Sequence, residues 1–127
     1  NIWMGTSVED RKTLHRLDDL RPCPAKIRFI SFEPLLEDLG KMNLADYHWA
    51  IIGGESGPHY RPMDHAWARQ IRDQCVNQGI RLFFKQSAAR VTERGTALIE
   101  PDGSAWEWRQ YPDTESPAAP TQVQQGR

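Results

Sequence analysis

Trp49-Ala50-Ile51-Ile52-Gly53-Gly54-Glu55-Ser56-Gly57-Pro58 decides the fold class. Its apolar run is too short for a helix and stops abruptly at paired glycines followed by a carboxylate. Such a run suits a strand covered on both faces, as in a parallel sheet. Outward from it the same grammar repeats. Ile2-Trp3-Met4 runs into Gly5-Thr6-Ser7-Val8-Glu9, and Ile27-Arg28-Phe29-Ile30 runs into Ser31-Phe32-Glu33-Pro34. Downstream, Ile80-Arg81-Leu82-Phe83-Phe84 runs into Lys85-Gln86-Ser87.

Helical patterns lie between these runs. Leu14, Leu17 and Leu20 mark one apolar stripe from Asp10 onward, and Pro22 stops it. Pro34 to Leu39 predicts a short helix, with Pro34 in the first turn and Gly40 at its end. Asp64 is a good N-cap for a helix whose Trp67, Ile71 and Cys75 recur every four residues, and Gly79 terminates it. Strand and helix in alternation predict a parallel sheet with right-handed crossovers. The expected fold is α/β: a partial TIM-type (β/α) barrel of about four parallel strands plus a C-terminal β-hairpin. An open doubly wound parallel sheet is the alternative. A complete eight-stranded barrel takes roughly 250 residues, more than the 127 present.

The barrel portion spans residues 1–90. A hairpin extension follows over 91–113, because Thr96–Ile99 and Ala105–Trp108 flank the reverse-turn signal Asp102-Gly103. Trp106 and Trp108 share strand parity, which makes one face aromatic; packing is the favoured use, a stacking platform for a base the other. From Thr114 to Arg127, Ser, Pro, Ala, Gln and Gly dominate without an apolar period, and a disordered tail is expected.

In parallel α/β folds the ligand lies at the C-terminal edge of the sheet. The residues there are Thr6, Ser7 and Glu9, then Ser31 and Glu33, then Gly53, Gly54, Glu55 and Ser56, and finally Lys85. Adjacent glycines permit close approach of a ligand to the backbone and positive φ, and their amides can form an anion-binding nest. The stretch is nevertheless neither GxGxxG nor a P-loop, and a tight turn explains it as well. Glu9 and Glu33 also suit the first turns of helices, where a carboxylate is favoured by the dipole. Arg61 can pair with Glu55 or hold an anionic ligand group. Lys85 supplies positive charge to a ligand or snorkels to the rim. His59 and His65 have no acid or Cys at a metal spacing and read as surface histidines.

Formal net charge is −1, so no global field recruits nucleic acid. The two cysteines, Cys23 in a loop and Cys75 on a helix stripe, are far apart, which argues against a disulfide framework or structural zinc site and for a reducing cytoplasm. No apolar stretch is long enough to span a membrane. The start at Asn1 lacks an initiator Met and any signal-peptide pattern, so an upstream portion is expected.

Four motifs in order carry a resemblance: Gly5-Thr6-Ser7-Val8-Glu9-Asp10; Ser31-Phe32-Glu33-Pro34-Leu35-Leu36; Ile52-Gly53-Gly54-Glu55-Ser56-Gly57-Pro58 with Arg61-Pro62-Met63; and Phe83-Phe84-Lys85-Gln86. Over about residues 1–113 the chain resembles the C-terminal portion of the phage-associated gp-thirty-seven/gp-sixty-eight family, an uncharacterised family. The resemblance implies a radical-S-adenosylmethionine-like barrel whose intact form binds S-adenosylmethionine and a [4Fe–4S] cluster. It also implies that Thr6, Ser7, Glu9, Ser31, Glu33, Gly53, Gly54, Glu55 and Ser56 contribute to the cofactor pocket, with Arg61 and Lys85 toward the substrate. The cysteine cluster of the family is absent here. This chain alone is therefore expected to bind no cluster and to be inactive, with no metal site of its own.

Half a barrel exposes strand edges, so association with the missing N-terminal half or with a second copy is expected. The competing functions are a non-enzymatic nucleic-acid-binding module using Arg61, Arg69, Arg72, Arg81, Lys85 and Arg90, and an inactive barrel remnant.

Overall fold

The computed structural model describes residues 1–90 and 95–124. Four parallel strands form one sheet in the order β1-β2-β3-β4: Trp3–Ser7, Ile27–Phe32, Trp49–Gly53 and Arg81–Gln86. Each successive pair is parallel, in the register Gly5–Phe29, Phe29–Trp49 and Trp49–Arg81. A separate antiparallel sheet joins β5 (Leu98–Ile99), β6 (Ala105–Glu107) and β7 (Thr121–Val123). The protein is thus mixed α/β with a parallel and an antiparallel sheet.

The stripe from Asp10 to Leu20 is a 3₁₀ turn, Arg11–Thr13, followed by α1, Arg16–Leu20. Asp10 caps the turn, its side chain accepting from the Thr13 amide. The second helix, α2, spans His65–Gln78 as its sequence signals predict: Asp64 accepts from the Ala66 amide, and Gly79 ends it at φ 71. A left-handed residue costs little only when it has no Cβ.

The helix expected over Pro34–Leu39 does not form. Its backbone donors are drawn elsewhere: Leu35 N–H donates to Gly53 O at 2.9 Å and Leu36 N–H to Glu9 O at 3.1 Å. Those bonds tie the β2 end to its neighbours. The Glu33–Pro34 peptide is cis.

Cover on both faces of the sheet is also not what these residues have. Ile30, Phe32, Ala50, Ile52, Leu82 and Phe84 are all fully buried and join Leu17, Ala68, Ile71 and Cys75 in one core. The alternate residues Ser31, Trp49, Ile51, Phe83 and Lys85 are only partly buried, and Trp3 is 44% exposed. Strand side chains alternate between faces, so one face lies against the helices and the other is open.

The expected hairpin is present as β5 and β6, with the Asp102 carboxylate accepting from the Ser104 amide and hydroxyl. Residues 91–94 of the extension expected over 91–113 lie outside the described residues. Trp108 belongs to the core and Trp106 packs against it, which is the packing use of that aromatic stripe. The tail expected to be disordered over 114–127 differs at β7, whose Thr121, Gln122 and Val123 pair with β6. Main-chain pairing needs no apolar period, and those side chains stay largely exposed. Residues 125–127 lie outside the described residues.

The outer edge of β4 is occupied. Phe84 N–H donates to Trp108 O at 2.8 Å, Gln110 N–H donates to Leu82 O at 2.9 Å, and Phe83 and Arg109 form an antiparallel bridge. Among the described residues, β1 pairs only with β2.

Candidate functional site

The open face is graded along the strands. Nearest the N-terminal end lie Trp3, Phe29 and Trp49, in edge contact at 6.2 and 6.0 Å between ring centroids. The next row is Ser7, Ser31, Ile51 and Phe83. At the C-terminal end stand Glu33, Gly53 and Lys85. A cavity of about 520 Å³ opens there, lined by Ser31, Glu33, Trp49, Ile51, Phe83 and Lys85 from the sheet and by Thr96, Arg109 and Tyr111 from the C-terminal segment. That volume lies within the roughly 300–1,000 Å³ of small-molecule sites.

Glu33 and Lys85 meet across β3. Lys85 Nζ lies 3.4 Å from both carboxylate oxygens, with the side chains 27% and 42% exposed respectively. At that length the contact is an ion pair more than a tight hydrogen bond. The buried oxygen Oε2 has no hydrogen-bond partner among the described residues. Two features of sequence make the meeting possible. Strands lie about 4.8 Å apart, so the pair must reach over the residue between them, and that residue is Gly53. A Cβ on Gly53 would sit 2.3 Å from Glu33 Oε2. A register shift at Ile52/Gly53 sets Gly53 opposite Gln86, with Phe84 opposite Ile52, so Lys85 is the extra residue. Bulges re-aim side chains in this way.

The glycine pair therefore serves packing. Gly53 gives its space to a carboxylate, while a Cβ on Gly54 would lie 2.2 Å from Ala88 N. Neither has positive φ. The Gly54 amide donates to Gln86 O at 2.8 Å and the Gly57 amide to Ala89 O at 3.0 Å. Of the adjacent pair expected to form an anion nest, the Gly54 amide is thus already spent on the end of β4.

Glu55 is held by Arg61. Its Oε1 accepts from the Arg61 amide at 2.8 Å and from Nε at 3.1 Å, and Oε2 accepts from Nη2 at 2.6 Å. These hydrogen bonds hold the carboxyl well below its ordinary range, at about 2. The pair closes the loop after β3 at the surface, outside the cavity lining. Ser56, also outside it, bridges to Ala89. On β1, Ser7 is in the open-face row, whereas Thr6 pairs in register with Ile30 of the covered face. Glu9 Oε2 sits 3.5 Å from Arg16 Nη1, and that nitrogen also donates to Ser7 O. Of the residues expected to share a pocket, the structure brings Ser31, Glu33 and Lys85 to the cavity with Gly53 behind them. It sets Glu55, Ser56 and Arg61 on the rim and Thr6 and Glu9 apart.

Three of the other arginines have protein partners. Arg69 donates to Ile99 O, Arg72 pairs with Glu100 and Asp73, and Arg81 donates to Thr114 O. His65 is not a surface residue as expected. Its Nδ1 accepts from the Ile99 amide at 3.0 Å, its ring lies 5.9 Å from that of Phe84, and burial lowers its pKa. Cys75 is buried, as its helix stripe implies, and burial pushes its thiol up to about 12. Cys23 precedes β2, at the edge of the sheet away from the cavity. Among the described residues no group of three or more His, Cys, Asp or Glu is placed to hold a metal ion, and no helix is long and apolar enough to cross a membrane.

The model of DUF5131, a family of proteins of unknown function, matches residues 1–114. The chain belongs to this family. The DUF5131 match takes in every cavity-lining residue, Tyr111 included. No curated protein and no solved structure matches the chain.

Sequence reasoning missed the part of the cavity made by Trp49, Phe83, Thr96, Arg109 and Tyr111. For Trp49 and Phe83 the signal was parity: Phe29, Ser31 and Glu33 alternate with buried Ile30 and Phe32, and the odd members of β3 and β4 share that face. Gln86, a polar residue at a strand end, is buried, with its Nε2 donating to Gly54 O at 3.3 Å.

Proposed function

We propose that this DUF5131 chain is the C-terminal wall of a phage-associated, radical-S-adenosylmethionine-like (β/α) barrel enzyme, contributing pocket residues but not the iron–sulfur ligands. The observation that carries this reading is the open face, aromatic at the N-terminal strand ends and polar at the C-terminal ends, with a cavity that runs from Trp49 to Glu33 and Lys85 at the polar end. Parallel sheets are ordinarily covered on both sides, and an inner wall graded toward its C-terminal mouth is how barrel enzymes place a ligand. The missing barrel half joins at β1, because residues 108–110 occupy the β4 edge.

The cavity suits an adenosyl ligand: Trp49, Phe83 and Tyr111 offer aromatic surface, and Glu33 can accept from a ribose or amino group. Such a cofactor supplies one-electron chemistry when it is bound beside a reduced cluster. The cluster does not fit this chain, since it needs at least three close thiolates. Cys75 is a buried thiol pushed up to about 12, and Cys23 lies at the opposite strand ends.

Calorimetric titration of S-adenosylmethionine into the intact protein tests the reading. Removing a hydrogen bond to a charged group costs about 1.5–3 kcal/mol, so Glu33→Ala should weaken binding by roughly tenfold or more. Glu55→Ala, which changes a rim clamp, should change it less than about twofold. No binding by the wild type, or equal binding by Glu33→Ala, sinks the assignment.

A further inference from the structure

The cavity over the open face contains a second built feature, and it narrows the ligand class of that cavity; the inference rests on the part of the reading above that makes the cavity a binding site. Arg109 is fixed from two sides. Its guanidinium carbon lies 5.5 Å from the centroid of the Phe83 ring, and Nη2 lies 3.3 Å from Glu107 Oε2. That oxygen is itself held by the Thr96 hydroxyl at 2.8 Å. A guanidinium has five N–H donors in a rigid fork. Glu107 engages one nitrogen, and the side chain stays 47% exposed in the cavity lining. This is a preorganised receptor for a carboxylate or phosphate, which the fork can bind with two parallel hydrogen bonds.

The walls beside it are aromatic and mutually braced. Tyr111 lies 5.6 Å from Phe83 and 6.1 Å from Trp49 between ring centroids, and Trp49 Nε1 is anchored on Gln110 O at 2.9 Å. Aromatic walls favour a flat ring by offset or edge-on contact. The lining carries Glu33, Lys85 and Arg109. Glu33 is answered by Lys85, and Glu107 engages only Nη2 of Arg109, so among the described lining residues the N–H donors left to meet a ligand are those of the Arg109 fork.

We propose that the cavity takes a flat aromatic ring bearing a carboxylate or a phosphate, with the ring against Trp49, Phe83 and Tyr111 and the anion on Arg109. Lys85 stands on the same wall but is paired with Glu33, so the anion falls to Arg109. The ring alone leaves the rest of the Arg109 fork unused, and a small anion alone leaves the aromatic wall wet, so both parts are needed.

Calorimetry with defined probes tests this. Indole-3-acetate and adenosine 5′-monophosphate are titrated into the intact protein beside indole, adenosine and inorganic phosphate. At least one ring anion should bind about tenfold or more tighter than its uncharged ring and than phosphate; whichever does so tells carboxylate from phosphate. Arg109→Gln should remove that margin while leaving the melting temperature and the affinity for the uncharged ring unchanged, and Arg109→Lys should restore part of it. Equal affinity for charged and uncharged rings, equal affinity for phosphate alone, no ring-anion binding at millimolar concentration, or an unaffected Arg109→Gln variant overturns the proposal. S-adenosylmethionine titrated alongside separates the two readings. Its failure to bind a protein that does bind a ring anion removes the radical-enzyme reading and leaves this inference standing.

Discussion

Phe83 and Phe84 are neighbours on β4 that serve opposite faces of one sheet. Phe84 is fully buried among Ile52, Ile71 and the rest of the helix-covered core, while Phe83 lines the open cavity with Trp49 and Tyr111. The two faces differ in what they ask of a residue. On the covered face volume matters, because close-packed atoms cannot fill a hole. On the open face charge and ring geometry matter, because the partner is a ligand or another part of the protein. The largest expected effect breaks the pair directly. Phe84→Ala should cost about 3–5 kcal/mol in urea unfolding, a large share of a typical domain's stability. Phe83→Ala should cost roughly 1 kcal/mol, in keeping with partial burial. Equal costs would show that the open face is packed as tightly as the other.

The glycines sharpen the comparison one step down. Gly54→Ala drives a methyl group against Ala88 N, a backbone atom with little room to move. It should cost about 1–3 kcal/mol, as overpacking does. Gly53→Ala meets the far end of the Glu33 side chain, which can swing away. Its stability cost should be smaller, read by the same melts. The lasting effect is instead on the ion pair: Glu33 is displaced from Lys85, visible as a shift of both side-chain NMR signals. A Gly53→Ala variant that keeps those signals would show that the missing Cβ at Gly53 does not set the Glu33–Lys85 contact.

How much of this was readable depended on the range of the interaction. The strand runs, the α2 boundaries and the Asp102-Gly103 turn are local signals, and each appears where the sequence implies it. The helix expected after Pro34 fails because Gly53 O and Glu9 O, distant in sequence, take the amides of Leu35 and Leu36. The candidate site follows the same division. Glu33 and Lys85 were visible as polar residues at strand ends. Their contact across Gly53 was not, because it depends on a register shift that composition does not encode. Arg109 was hidden for a third reason: its bridge to Phe83 brings the chain back to the edge of β4 after the whole β5–β6 excursion.

A smaller effect comes from acid on the covered side. His65 accepts the Ile99 amide through Nδ1, so folding favours the neutral ring; burial first, and Arg69 next, lower its pKa below 6.5, while Asp64 opposes them. A depressed folded-state pKa means that the unfolded chain binds more protons in that window. The contribution is complete above pH 6.5 and is lost as pH falls through the folded value. Thermal melts between pH 7.5 and 5 should show falling stability, and His65→Gln should flatten that slope. A variant with the wild-type slope would assign the acid response to other groups.

The smallest effect is expected at the rim, where neither face is involved. Glu55 and Arg61 close the loop after β3 through three hydrogen bonds, yet Arg61 is 61% exposed, and exposed pairs contribute little to global stability. The sign follows from the depressed carboxyl. Its contribution is present above the unfolded value of 4.5 and is lost only as pH falls through about 2. The Arg61 amide should therefore stay protected from hydrogen exchange at pH 4 and lose protection near pH 2, ahead of global unfolding. Glu55→Gln should expose that amide at neutral pH while leaving the melting temperature nearly unchanged. Loss of protection already at pH 4 would mean that the carboxyl titrates normally and that Arg61 does not hold it. A large fall in melting temperature would mean that the rim loop belongs energetically to the covered face.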